Sequence, residues 1–374
     1  MKTIPLLCSL MFGLSILAGA QFPPPPLQSP DVQKDGHVIF RFRAPNAQKV
    51  EVDLEGQTAH IPMQKDEQGI WTATVGPLPP DMYGYSFFSD GVGLMDPSNS
   101  AIKPNLINPE SEVHVPGPPS LAWEENPVAK GVIHRHFYSS KIANEERDFY
   151  VYTPPGYLAT DKQEYPVLYL LHGFSDDASG WTAVGRANVI FDNLIAQGKM
   201  KPMIVVMPLG YGDYEVIRRG WGAWSDKELA RRNLSKFTDM LLGEVMPQAE
   251  AAYRIRKDRE SRAIAGLSMG GAQSLLTGLN HLDQFAWIGA FSSGGMDVAE
   301  FAEEFPNLDS AANQKLKLLW IACGTEDNLI KINRQFKSWL KDKGVEFTSI
   351  ETPGMHTWMV WRRNLAAFAP LLFE

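Results

Sequence analysis

The sequence predicts an α/β domain built on an open, largely parallel sheet, preceded by a small all-β, immunoglobulin-like sandwich. Three observations predict it. Residues 36–115 hold short alternating stretches separated by turn residues. Beyond residue 126 come continuous apolar runs: PVLYLL at 166–171, MIVVM at 203–207, RAIAGL at 262–267 and LKLLWIA at 316–322. Such runs read as strands buried on both faces. Helical patterns at 236–253, 269–278 and 330–343 alternate with them. The length of 374 residues accommodates both units.

In chain order, Lys2, the apolar stretch after it and Ala18-Gly19-Ala20 read as a secretory signal peptide over residues 1–20. The apolar stretch is short for a membrane span. The expectation is a secreted or periplasmic chain, soluble once cleaved. Cleavage would leave Cys323 as the one cysteine, and so no internal disulfide. Residues 21–35, with four consecutive prolines, read as a stiff linker. The sandwich follows over 36–115, with strands at 38–43, 50–54, 70–75 and 83–88, punctuated by Pro79-Pro80, Asp90-Gly91 and Asp96-Pro97. Residues 116–125, opening on PGPP, read as a second linker, and 126–374 as the α/β domain. A net charge of -8 and the lack of long basic runs argue against a nucleic-acid partner.

The chemistry centres on Gly266-Leu-Ser268-Met-Gly270, between a strand and a helix. That context makes the pattern a nucleophile elbow, with Ser268 raised at the carboxyl edge of the sheet. A serine hydroxyl needs a base. Two histidines follow it: His281, where the helix should end, and His356, in a loop after the last strand and the preferred base. The orienting acid should follow the strand at 316–322. Asp327 and Glu326 both qualify, with Asp327 preferred. The oxyanion hole needs two N–H donors. Met269 supplies one, and Phe174, in the loop after 166–171, the other. His172 is expected to brace that loop. Trp181 and Trp358 are expected to line the cleft, and residues 210–232 to form a flap over it. No metal or nucleotide signature is present, and the lone His134/His136 pair lacks a third ligand, so no cofactor is expected.

These segments together carry a resemblance. LLHG at 170–173, IAGLSMGG at 264–271, CGTEDNLI at 323–330 and GMHTWMVW at 354–361 are similar to the esterase-D/feruloyl-esterase group, carbohydrate esterase family 1. The resemblance implies an α/β-hydrolase fold, a Ser268–His356–Asp327 triad, and a secreted serine esterase acting on feruloyl esters of xylan. Acetylxylan esterase and trilactone siderophore esterase are the alternatives in that group, and a non-catalytic carbohydrate-binding protein the alternative outside it. The substrate would be a small-molecule or polysaccharide ester. FRFRAPNAQKVEV at 40–52 and DPSN at 96–99 resemble the early-set modules of glycogen-branching and debranching enzymes. In such a module Trp71, Tyr83 and Tyr85 are candidates to stack on sugar. Its removal is expected to spare activity on small soluble esters.

Overall fold

The computed structural model describes residues 27–160 and 162–374. The signal-peptide expectation and the four consecutive prolines lie outside the described residues. Two sheets form the N-terminal sandwich. One orders Asp31–Val32, Val38–Arg43, Ile70–Val75 and Gln64–Lys65; the other centres on Val50–Leu54, Asp81–Ser89 and Glu110–Val115. Alternation explains the packing: Val38, Phe40 and Phe42 point inward while Ile39 and Arg41 between them are partly exposed. Phe40 lies 4.8 Å from Tyr85 and Phe42 4.8 Å from Phe87 across the two sheets.

Three sequence expectations change here. Asp31–Val32, inside the expected first linker, is already a strand of the sandwich. Trp123 and Glu124, inside the expected second linker, are buried. Trp71, Tyr83 and Tyr85 are buried too, and their polar tips are used internally: Trp71 Nε1 donates to Ala44 O (2.9 Å) and Tyr85 Oη to Asp96 (2.8 Å). A thin sandwich needs large side chains to fill its core, and these rings supply them.

The C-terminal domain is an eight-stranded sheet. Its spatial order is Val132–Ser140, Glu145–Thr153, Ile204–Pro208, Val167–Leu171, Arg262–Leu267, Trp287–Phe291, Leu318–Gly324, Thr348–Thr352. The first two pairings are antiparallel and the rest parallel. This mixed sheet with helices on both faces is the α/β-hydrolase arrangement. Every residue of the central strands is buried, which is why they read as unbroken apolar runs. The two antiparallel strands alternate instead, and the sequence reading touched them only in placing the alternating His134/His136 pair on a strand. Among the described residues no helix is long and apolar enough to cross a membrane.

The two domains meet in a polar, buried seam. Asp81 of the sandwich pairs with Arg362 (2.9 Å) and Arg363 (2.7 Å) of the helix Trp358–Phe368. Arg362 also donates to Met82 O (2.6 Å) and Val184 O (3.0 Å). Neither Asp81 nor Arg362 reaches solvent appreciably. Removing one partner of such a pair costs about 3–5 kcal/mol, because the other charge stays buried.

Candidate active site

Ser268 sits at the end of Arg262–Leu267, immediately before the helix Met269–Asn280. Its backbone is strained, at φ +51° and ψ −116°. Only glycine fits two positions to either side of it. A Cβ on Gly266 would lie 2.4 Å from Gly270 O, and one on Gly270 would lie 2.5 Å from both His172 O and Leu171 O. Strand, turn and helix therefore approach too closely for side chains, and the serine is left projecting over the sheet edge.

His356 reaches the serine from the loop after Thr348–Thr352: Nε2 is 3.0 Å from Ser268 Oγ. Its Nδ1 lies 2.9 Å and 3.1 Å from the two oxygens of Asp327. Burial pushes the Asp327 carboxyl up, but the His356 hydrogen bond and charge and the Leu329 N–H outweigh it, so the group is held below its ordinary value. Glu326 does different work. It is exposed, and its carboxylate accepts the Gly354 N–H and the Thr325 hydroxyl. Gly324 packs against the same residue, where a Cβ would lie 2.1 Å from Gly354 O. The acid loop thus grips the histidine loop. Trp361 packs edge-on against His356 at 4.8 Å, and His281 caps the far end of the helix after Ser268.

The loop after Val167–Leu171 faces the serine from the other side. A Cβ on Gly173 would lie 3.4 Å from Ser268 Cβ. Met269 opens its helix, so its N–H has no intrahelical carbonyl to bond. Phe174 and Met269 both line the same cleft as Ser268 and His356. His172 is buried beneath them. Its Nδ1 lies 2.7 Å from Gly173 O, and its Nε2 accepts the Gly210 N–H at 2.8 Å. That pairing fixes a neutral ring, and burial lowers its pKa to match.

The cleft has a volume of about 1140 Å³. One flank is aromatic and apolar, formed by Phe174, Trp221, Trp224, Met296 and Leu329. It runs on to Glu304, whose carboxyl is raised to about 7 by burial and by the Glu300 charge. The other flank belongs to the sandwich: Asp53, Glu55, Gln57, Lys103 and Glu110. The segment expected as a flap contributes Trp221 and Trp224, which stand edge-on to Phe174 at 4.8 Å and 5.4 Å.

Trp181 and Trp358 are not in this cleft. Both are core residues, 1% and 3% exposed, packed edge-on at 5.1 Å beneath the loop. The Trp181 indole N–H donates to Leu171 O at 2.8 Å, the internal acceptor a fully buried indole requires. The tryptophans that do line the cleft, at 221 and 224, lie in a glycine-bearing stretch of their own. The sandwich residues gave no sequence signal, because they enter the cleft across the domain seam.

Comparison with known proteins agrees with this architecture. Residues 139–372 match the family model for putative esterases, and residues 28–105 match carbohydrate-binding module 48, the isoamylase N-terminal domain. An endo-1,4-beta-xylanase/feruloyl esterase of Xylanibacter ruminicola is 30% identical over 94% of this chain. The chain spans 46% of that relative's length. A ferulic acid esterase structure from Anaeromyces mucronatus superposes with a TM-score of 0.58 at 24% identity, covering 67% of this chain and 93% of that one. The enterochelin esterase of Shigella flexneri superposes through both domains, with a TM-score of 0.68 at 16% identity, covering 91% of this chain and 93% of that one. These two likenesses are of fold.

Proposed function

The chain belongs to the putative esterase family, behind a carbohydrate-binding module 48, and from that premise we propose a serine carboxylic-ester hydrolase acting on hydroxycinnamoyl esters of plant cell-wall polysaccharide. One observation carries the proposal: Ser268 Oγ, His356 and Asp327 form a continuous hydrogen-bonded chain at a strained elbow inside a large cleft. Ser268 attacks the ester carbonyl as His356 Nε2 takes its proton. Asp327 fixes the imidazole tautomer and stabilises the imidazolium. The Phe174 and Met269 N–H groups bind the oxyanion. The alcohol leaves with the proton that His356 returns, and water then cleaves the acyl-enzyme by the same route.

The choice of acyl group rests on the aromatic flank, which suits a flat phenolic acid, and on the likeness to the feruloyl esterase of Xylanibacter ruminicola. Secretion is part of the proposal, since polymeric xylan lies outside the cell. The test sets methyl ferulate, acetylated xylan and a catechol trilactone before the purified chain, with Ser268→Ala as control. Ferulate release that falls on the order of 10³-fold or more in the control supports the reading. Acetate release alone moves the enzyme to acetylxylan esters, and lactone cleavage alone to siderophores. Activity of Ser268→Ala within about tenfold of the parent removes the nucleophile assignment.

A further inference from the structure

Ser175, directly after Phe174, holds φ at +72°, a left-handed conformation that a non-glycine residue keeps only when its surroundings enforce it. The enforcing groups come from the N-terminal sandwich. Leu106 N donates to Ser175 O at 2.7 Å. Asn105 Nδ2 donates to Ser175 Oγ at 2.9 Å and to Asp176 Oδ1 at 3.1 Å. Asn105 is itself fixed, because its Oδ1 accepts the N–H groups of Ile107 and Asn108, each at 3.0 Å. Ser175 and Asp176 are both buried, so water does not replace these donors cheaply. The α/β domain holds the same loop by the Tyr211 hydroxyl on Asp176 O (2.7 Å) and by His172 below Gly173. Three hydrogen bonds from two donor groups of a different domain thus converge on the two residues after Phe174.

We propose that the sandwich is a working part of the ester-cleaving site: through Asn105 and Leu106 it holds Ser175 in its left-handed turn and so aims the Phe174 N–H at the developing oxyanion. Asn105 is a positioning residue. The inference rests on the triad and oxyanion roles proposed above. It opposes the expectation that the module is dispensable for small esters, because a tether to polysaccharide has no cause to touch the oxyanion loop.

The test uses the full chain and a small soluble aryl acetate, which no carbohydrate contact influences. Asn105→Ala is expected to lower kcat about 10- to 100-fold with KM within about twofold, since a displaced donor loses transition-state rather than ground-state binding. Affinity for a trifluoromethyl ketone, whose adduct with Ser268 places an oxyanion in the hole, should fall by the same factor. Asn105→Asp keeps the acceptor that forms the turn but sets a carboxylate against the Asp176 carboxyl in place of the donor, so assayed above pH 7 it should be slowed at least as much without collapse of the turn. Adding Ser175→Gly to Asn105→Ala should recover part of kcat, because glycine adopts positive φ unaided. Parent-level kcat in both single variants, or a double variant as slow as Asn105→Ala, overturns the proposal. If Ser268→Ala hydrolyses the aryl acetate as fast as the parent, the esterase reading itself falls, and this inference with it.

Discussion

The two halves of the candidate site are held by different means. The base half, Asp327 and His356, is fastened mostly within one domain: Glu326 and Gly324 fasten the histidine loop at Gly354, and Thr325 N donates to Thr352 O at 2.8 Å; the sandwich meets this half at the helix that follows, where Trp358 N donates to Glu55 at 3.2 Å. The proposed oxyanion half is held from below by Tyr211 and His172 and, across a seam, by Asn105 and Leu106 of the sandwich. A short loop between adjacent parallel strands is braced by its neighbours along the sheet edge. The loop after Val167–Leu171 runs out towards the sandwich and takes its outer braces from there. Both halves thus meet the sandwich, but it touches the oxyanion loop at the residues directly after Phe174 and the base half at the helix beyond His356.

Four measurements break or sharpen this contrast. The largest effect is expected from Asp327→Asn, which leaves the base half in place but removes the charge that orients the ring. Its kcat should fall on the order of 10³-fold or more, with the thermal midpoint near the parent's; a loss under about tenfold would transfer the acid role to Glu326. Next, Arg362→Met strips the seam and leaves Asp81 with Arg363 alone. Chemical denaturation should show a loss of about 3 kcal/mol; a loss under about 0.5 kcal/mol would mean the seam is not held by this pair.

A smaller effect concerns pH. Burial raises the Asp176 carboxyl from 3.8 to about 7, against the opposing Lys103 charge. Between those values the folded chain keeps a proton that the unfolded chain has released. Asp176 therefore contributes a stability that is present below about pH 4 and falls as pH rises towards 7. Asp176→Asn should flatten that slope in thermal melts taken across the window; an unchanged slope would show that the group is not proton-bound there. The smallest effect is expected from Glu326→Gln. A neutral amide oxygen still accepts the Gly354 N–H, so kcat should stay within about threefold. A drop of Asp327→Asn size would show that the histidine loop needs that charge.

Much of the candidate site's geometry was legible in the sequence because it sits on short-range patterns. The glycines at 266 and 270 are demanded by backbone contacts within one strand–turn–helix unit, so GLSMG announces its geometry. Asp327 and His356 each follow a parallel strand, and the order of strands sets their order in the chain. The tryptophans were harder. Trp181 and Trp358 stand beside the motifs in sequence, yet their rings turn inward, because the space under the oxyanion loop must be filled and the indole N–H has an acceptor there. Linker boundaries failed for a related reason: proline-rich stretches look detached, but Trp123 and Glu124 find a core to enter.

By itself the sequence determined the two domains, the parallel sheet, the elbow at Ser268 and the residues that accompany it, since each is written in periodicity or in residues a few positions apart. The tertiary structure alone decided which aromatics face the cleft and that Asn105 and Leu106 grip Ser175 about 70 residues further along the chain. Those facts depend on the docking of one folded surface on another, and no local pattern of side chains encodes the orientation in which two surfaces meet.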